Sequence, residues 1–348
     1  MEREKILSIE NLVIKFKLRG QTLTAIRDIS LDLYKGESLA IVGESGSGKS
    51  VLVKSIMGLL DKNGYIDSGK IVYDGYDLTQ FKTEADWLKI RGKKVAMVTQ
   101  DPMTSLNPLK TVGKQIEESV VLHQGLKGKD AYETTLQLLR DVGIHDVERR
   151  YKQFPHEFSG GMRQRIVIAI AVACNPQVLI CDEPTTALDV TIQAQILQLL
   201  TTLQEKYLLT TIYITHDLGV VAKVADRVAV MYAGDIIEVG QTNEIFFGAK
   251  HPYTWALISS LPQLGVKGYE LYSIKGTPPN LFKEIKGDAF APRNQYALKI
   301  DFVVRPPFFQ VTDTHFARTW LLDPKAPKVK PPEVLQAFFE EGRRYLHE

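Results

Sequence analysis

The octapeptide GESGSGKS, Gly43–Ser50, decides how this chain is read. Gly43, Gly48, Lys49 and Ser50 fill the pattern G-x-x-x-x-G-K-S/T, in which glycines let backbone N–H groups wrap a phosphate chain. Lys49 is placed to neutralise the terminal phosphates, and the Ser50 hydroxyl to bind magnesium. The pattern carries this meaning only between a strand and a helix. The apolar run ESLAIVG precedes it, and Leu52, Val53, Ile56, Leu59 and Leu60 follow at helical spacing. The spacing predicts a helix from Lys49 to about Leu60, stopping near Gly64.

Upstream and just downstream the chain reads as strands: ILSIENLVIKF, TAIRDISLDLY, and a hairpin turn at Asp74 and Gly75 in YDGYDL. Thr111 to Arg150 turns helical, with Leu136, Leu138, Leu139 and Val142 on the apolar side. After Ser159 helix and strand alternate: helix Gly161–Cys174, strand QVLICD, helix Thr191–Tyr207, strand TTIYITH, helix Leu218–Ala225, strand RVAVMYAG. Such alternation implies an α/β fold with a parallel sheet covered on both faces. Beyond Lys250 the chain becomes Pro-rich and ends in an amphipathic stretch, EVLQAFFEEGRRYL.

The chain has 348 residues, room for a large core domain and an appendage. Its 43 Lys and Arg against 41 Asp and Glu leave a net charge of +2, no field that implies a nucleic-acid partner. Cys174 and Cys181 lie in apolar runs and read as reduced core thiols. MEREKILSIENL lacks the apolar centre of an export signal, and the longest apolar run, Ile166–Cys174, is short of a membrane span. Any membrane role is expected to come through partners.

Four further features carry chemistry. VLICDEPTT ends an apolar strand in Asp182, suited to hold magnesium, and then Glu183, suited to orient and deprotonate a water. An Asp-Glu pair at a strand end is by itself more often solvated surface; downstream of a phosphate loop it gains meaning. Gln100 and His216 each end an apolar strand, where parallel sheets deliver ligands, although lone residues of either type are commonly structural. FSGGMRQR, Phe158–Arg165, offers a second set of bare N–H groups at a helix start. That second anion site needs a second phosphate or a second molecule.

In this order, GESGSGKS, Gln100, FSGGMRQR, VLICDEP, TALD and His216 resemble the nucleotide-binding domain of the ABC transporter ATPases, over residues 5 to about 250. The resemblance implies a P-loop domain with a parallel core sheet, an antiparallel β subdomain and a helical subdomain at about 101–160 that docks on membrane subunits. It implies ATP and Mg2+ as ligands, held by Gly43, Glu44, Ser45, Gly46, Ser47, Gly48, Lys49, Ser50 and Val51, with Ser50, Gln100 and Asp182 at the metal. It makes Glu183 the catalytic base, assisted by Lys49 and by His216 at the γ-phosphate. Two such domains pair head to tail, so Ser159, Gly160 and Gly161 grip a phosphate held by the partner's loop, and Asp189 speaks across the dimer. Phe16 would stack on adenine; the residues alone make core packing an equal reading for it.

ESGSGKSV, QDPMTSLNP, DEPTTALDVTIQAQI and, in region 251–348, HPYTWALISSLP and GTPP are similar to the oligopeptide and dipeptide importer ATPases, most of all the oligopeptide permease subunits of Gram-positive bacteria. That subfamily implies an ATPase at the cytoplasmic face of the membrane, working with a second, homologous ATPase, two permease subunits and an extracellular peptide-binding lipoprotein. Importers of nickel or dipeptides share this architecture, and a soluble ABC ATPase is a remoter alternative. Many relatives hold an iron–sulfur cluster on four C-terminal cysteines; here the corresponding positions are Asp288, Asn294, Asp301 and Thr319. No cluster is expected, because these are not soft thiolate ligands. Asp288, Asn294 and Asp301 are expected to pair with neighbours such as Arg293, Lys299, His315 or Arg318, the alternative being that they offer oxygen to a hard ion such as magnesium or calcium. The segment is expected to rely on its prolines and on packing by Phe290, Phe302, Phe308, Phe309 and Trp320.

Overall fold

The computed structural model describes residues 3–186, 188–261 and 274–347, without the side chains of Met103 and 343–347. Ala187 of TALD, Pro262 of HPYTWALISSLP and the side chains that close EVLQAFFEEGRRYL lie outside the described residues. The chain divides into two compact units, one made chiefly of Gln80–Ile214 with Tyr34–Ser38, the other of Lys5–Leu33, Leu39–Thr79 and the chain from Thr215 onward.

In the second of these units the strands Lys5–Leu18 and Gln21–Tyr34 lie side by side in an antiparallel sheet that continues through Gly64–Tyr73 to Tyr76–Asp77. Leu7 and Ile9 face the core at odd positions, whereas Leu12, Ile14 and Phe16 do so at even ones. The change of parity is made by a bulge between Glu10 and Val13, at which Asn11 turns left-handed with φ 47°. Without the extra residue every later side chain would face the wrong way. The expected hairpin is there: Asp74 and Gly75 both have positive φ, 47° and 81°, between the paired Tyr73 and Tyr76.

The strand Ser38–Val42 runs parallel to Arg227–Tyr232, and both are buried almost throughout, as strands covered on both faces must be. The helix after the phosphate loop is shorter than its apolar spacing suggests, Lys49–Ile56. Gly58 turns left-handed, φ 61°, and Leu59 is exposed, so the helix stops before the last two apolar positions; Gly64 opens a strand rather than closing a helix. RVAVMYAG is followed by an unforeseen antiparallel return, Asp235–Gln241, after a turn at Ala233 and Gly234. The short strands Phe316–Ala317 and Phe309–Gln310 extend it with residues from the C-terminal region.

That region is fastened by ionic groups as well as by rings. Arg305 holds Asp28 and Asp235 at 2.7 Å each. Glu238, fully buried, accepts from the amides of Lys250 and His251 and lies 2.8 Å from His315 Nε2. Phe290 packs edge-on against Tyr232 and Tyr253, Phe309 against Trp320, and Arg318 covers the ring of Phe308. Phe302 does not take part as expected: it is 55% exposed.

Burial lowers the His251 imidazole to about 4. It lifts the Asp288 carboxyl, 3.8 Å away, to about 7, with Asp301 and Asp235 adding to the lift against the Phe290 amide and Arg27. Between about pH 4 and 6.5 the folded chain therefore keeps one proton on Asp288 and none on His251, and the unfolded chain the reverse. The proton counts match, so the pair leaves stability flat across that window. In Asp288→Asn only the histidine remains: the unfolded state then binds the extra proton, and stability relative to wild type should rise by about 3 kcal/mol from pH 4 to 6.5. Urea unfolding at stepped pH measures this; a variant profile parallel to wild type would show that Asp288 does not keep its proton across that window.

The other unit places the strands Val95–Val98, Val178–Asp182 and Thr210–Thr215 in parallel register, Val95 beside Val178 and Val178 beside Thr210. The helix Gly160–Ala173 is buried along most of its length, from Ile166 to Ala173, and packs on Val190–Tyr207. Between strand and helix lies the expected helical insert, here Val112–Ser119, a π-helical turn at Val120–Gln124, Gly128–Asp141 and Val147–Arg150. Cys174 and Cys181 are buried free thiols, and burial pushes both above the ordinary range, Cys174 to about 11.

Candidate functional site

The phosphate loop is tied down from below. A Cβ on Gly43 would stand 2.1 Å from the Met231 carbonyl, and one on Gly48, whose φ is 103°, 2.9 Å from that of Ala25. Only glycine fits at either place. Nothing lies within 4 Å of a Cβ built on Gly46, so the crest of the loop is open. The Lys49 ammonium donates to the carbonyls of Gly43 at 2.8 Å and Glu44 at 2.9 Å. The helix Lys49–Ile56 starts on Gly48 with no side-chain cap and no acidic residue in its first turn. An uncapped helix start, a lysine and an open glycine crest suit a polyphosphate. Phe16, also in this unit, is 9% exposed and packs on Gly64, its partner across the sheet. His216 is exposed just after the strand Thr210–Thr215.

In the other unit the strand Val178–Asp182 delivers its two acids differently. Asp182 is buried, while Glu183 leaves the strand left-handed, φ 48°. Its amide is held by the Ile214 carbonyl, and its Oε2 accepts from Gln100 Nε2 and from the Thr186 hydroxyl, both at 2.9 Å. Strained backbone of this kind costs about 1–3 kcal/mol and survives where neighbours over-determine it. The structure thus brings Gln100 and Glu183 into contact, and Thr186 joins them. Thr186 was not foreseen, although its place three residues after Glu183 in DEPTT is a signal that hydroxyls at such spacing give.

Ser159 caps the helix Gly160–Ala173, its hydroxyl accepting from the Met162 amide at 3.4 Å. Ser159 and Gly160 are exposed. A Cβ on Gly160 would meet only Leu188, at 4.0 Å, whereas one on Gly161 would strike Ile192 at 2.7 Å. The first glycine keeps the helix start open to an approaching group, and the second lets two helices close. Asp189 caps the helix Val190–Tyr207 through the Ile192 amide at 3.0 Å.

The four C-terminal positions that the resemblance sets against cluster cysteines, Asp288, Asn294, Asp301 and Thr319, are all local caps. Asp288 accepts from the Phe290 amide, Asn294 from Tyr296, Asp301 from Leu298 and Thr319 from Leu321. Oxygen groups committed to their own turns do not fit an iron–sulfur cluster. Of the expected pairings with Arg293, Lys299, His315 and Arg318, Asp288 instead lies beside His251, His315 faces Glu238, and Arg293 forks onto Glu44. Sequence reasoning missed the Arg293–Glu44 pair altogether, for nothing local marks partners so far apart in the chain.

Two family models match: ABC transporter over residues 26–186, and the oligopeptide/dipeptide transporter C-terminal region over 237–300. The chain is 58% identical to the oligopeptide transport ATP-binding protein AmiE of Streptococcus pneumoniae, over 99% of this chain and 97% of that one. It is 53% identical to the dipeptide transport ATP-binding protein DppD of Lactococcus lactis, over 97% of each. Among solved structures it is similar to the dimeric, post-hydrolysis ATP-binding cassette MJ0796 bound to ADP and Pi, with a TM-score of 0.60 and 27% identity over 68% of this chain and 98% of that one.

Proposed function

The chain belongs to the family of ATP-binding subunits of oligopeptide and dipeptide ABC transporters, and from that premise we propose that it binds and hydrolyses MgATP to power oligopeptide import. The observation that carries the nucleotide reading is the phosphate loop: glycines that admit no side chain, Lys49 tucked against the Gly43 and Glu44 carbonyls, and an uncapped helix start. On this reading Gly43–Val51 cradle the phosphates and Phe16 meets the adenine. Ser50, Gln100 and Asp182 hold the magnesium, which would screen phosphate charge when bound. Glu183 accepts the proton of a water that attacks the γ-phosphate in line, and His216 contacts that phosphate.

The contact from Gln100 and the Thr186 hydroxyl fixes the Glu183 carboxylate, so its proton-accepting oxygen is aimed before the water arrives. Ser159, Gly160 and Gly161 serve the nucleotide of a second, homologous subunit, and Asp189 lies with them at that interface. The helical subdomain at about 101–160 docks on two permease subunits, placing the chain at the cytoplasmic face of the membrane; no helix among the described residues is long and apolar enough to cross it. An extracellular peptide-binding lipoprotein delivers the cargo. Region 251–348 is the second domain, after the nucleotide-binding domain 1–250. Relatives of both oligopeptide and dipeptide type match nearly the whole chain, and the greater identity lies with the oligopeptide relative. The test is ATP hydrolysis by the assembled transporter offered one solute class at a time.

A further inference from the structure

The phosphate loop contains an acid. Glu44 stands second in a loop that, on the reading above, receives a polyphosphate, and a bare carboxylate there would repel the ligand. The structure shows how it is neutralised. Arg293, from the Pro-rich C-terminal region, forks onto it, Nη1 to Oε2 at 2.8 Å and Nη2 to Oε1 at 3.1 Å. The Arg293 side chain is 6% exposed. Its other donors are engaged too: Nε with the Lys275 carbonyl, Nη2 with that of Ile274, and Nη1 with the Tyr232 hydroxyl. All five guanidinium N–H groups are used, and the planar fork fits them as an ammonium would not. The pair raises the Arg293 pKa above its ordinary value against the pull of burial.

Glu44 is also the loop's mechanical link. Its amide donates to the hydroxyl of the buried Tyr253 at 2.8 Å, and its carbonyl receives the Lys49 ammonium. A shift of Glu44 therefore moves an anchor of Lys49. The same C-terminal stretch walls the outer side of the loop, where Pro278, Pro279 and Leu281 line a cavity with Ser45, Gly46 and Tyr232. The GTPP motif, Gly276–Pro279, begins right after the two carbonyls that Arg293 binds.

We propose that Arg293 is a positioning residue for nucleotide binding, cancelling the Glu44 charge and holding the loop backbone on which Lys49 is anchored. The C-terminal region then has a task in the ATPase cycle without holding any cofactor: it sets the affinity of the phosphate loop. This rests on the nucleotide reading of Gly43–Ser50 and adds to it a residue about 250 positions away.

The experiment measures MgATP affinity of the full chain with a fluorescent ATP analogue and competition by ATP. Arg293→Gln, which bares the Glu44 charge, should bind about tenfold more weakly. Adding Glu44→Gln removes that charge and should restore affinity to within about threefold of wild type. Rescue by the second substitution is what a merely structural arginine would not give. Arg293→Lys keeps the charge and loses the fork; it should stay within about threefold of wild type. In steady-state hydrolysis by the assembled transporter the Arg293→Gln loss should fall on KM and spare kcat. The proposal is overturned if Arg293→Gln binds ATP as wild type does, if the double variant is as weak as the single one, or if Arg293→Lys is as weak as Arg293→Gln. Wild type and Lys49→Ala separate the two levels: a wild-type chain that binds no ATP, or a Lys49→Ala chain that binds it equally well, sinks the reading of the loop rather than the role of Arg293.

Discussion

Glu183→Gln is expected to bind MgATP within about twofold of wild type and to lose hydrolysis at its own site by about 10²–10⁴-fold, the range a positioned general base supplies. Glutamine has the shape of glutamate and keeps an oxygen for the Gln100 amide and the Thr186 hydroxyl, the two groups that hold Oε2 at 2.9 Å. Its amide can still meet the Ile214 carbonyl, so the left-handed turn at φ 48° is retained. What is lost is the ability to take a proton. Because the change touches neither Lys49 nor Asp182, affinity and chemistry should separate, a pattern that marks an interaction made only in the transition state. Single-turnover hydrolysis beside equilibrium nucleotide binding reads both; a wild-type rate would remove Glu183 from the role of base.

Ser159→Arg should show its damage only in the assembly. Alone, the chain loses one cap, worth about 1 kcal/mol, and gains a cation at the positive end of the helix Gly160–Ala173, worth up to about 1 kcal/mol more. That is a modest strain on a helix buried from Ile166 to Ala173, so the isolated chain should fold and bind ATP within about twofold of wild type. In the assembled transporter the arginine fills the open space above the Gly160 amide, where on the proposed reading the partner's nucleotide is met. Hydrolysis at that composite site should fall by about a hundredfold or more, comparable with the loss of preorganised donors elsewhere. Equal loss of nucleotide binding in the isolated chain would refute the in-trans role.

The sequence carried those parts of the fold whose cause is local. A glycine that must turn left-handed, a strand buried on both faces and a serine that caps a helix each leave a mark within a few residues, which is why the phosphate loop, the strand into Asp182 and the start at Ser159 were legible. The helix after Lys49 was overdrawn because Leu59 and Leu60 keep its period, while Gly58 ends it first. The antiparallel return Asp235–Gln241 was missed at Ala233 and Gly234, a turn without the usual Asn or Asp. In the C-terminal region charge was expected to find charge nearby. Instead Asp288, Asn294, Asp301 and Thr319 serve their own turns, and the arginine of that segment reaches Glu44. Contacts between residues that far apart are set by tertiary packing, on which neither period nor motif bears.

The central claim is that ATP hydrolysis by this chain drives peptide uptake. It is tested most directly by purifying the assembled transporter with the partner subunits proposed above, and measuring ATP hydrolysis with oligopeptides, dipeptides and nickel chelates added in turn. The account predicts that oligopeptides stimulate hydrolysis most, and that the stimulation vanishes in Glu183→Gln. Stimulation by nickel chelates with none by peptides would contradict it.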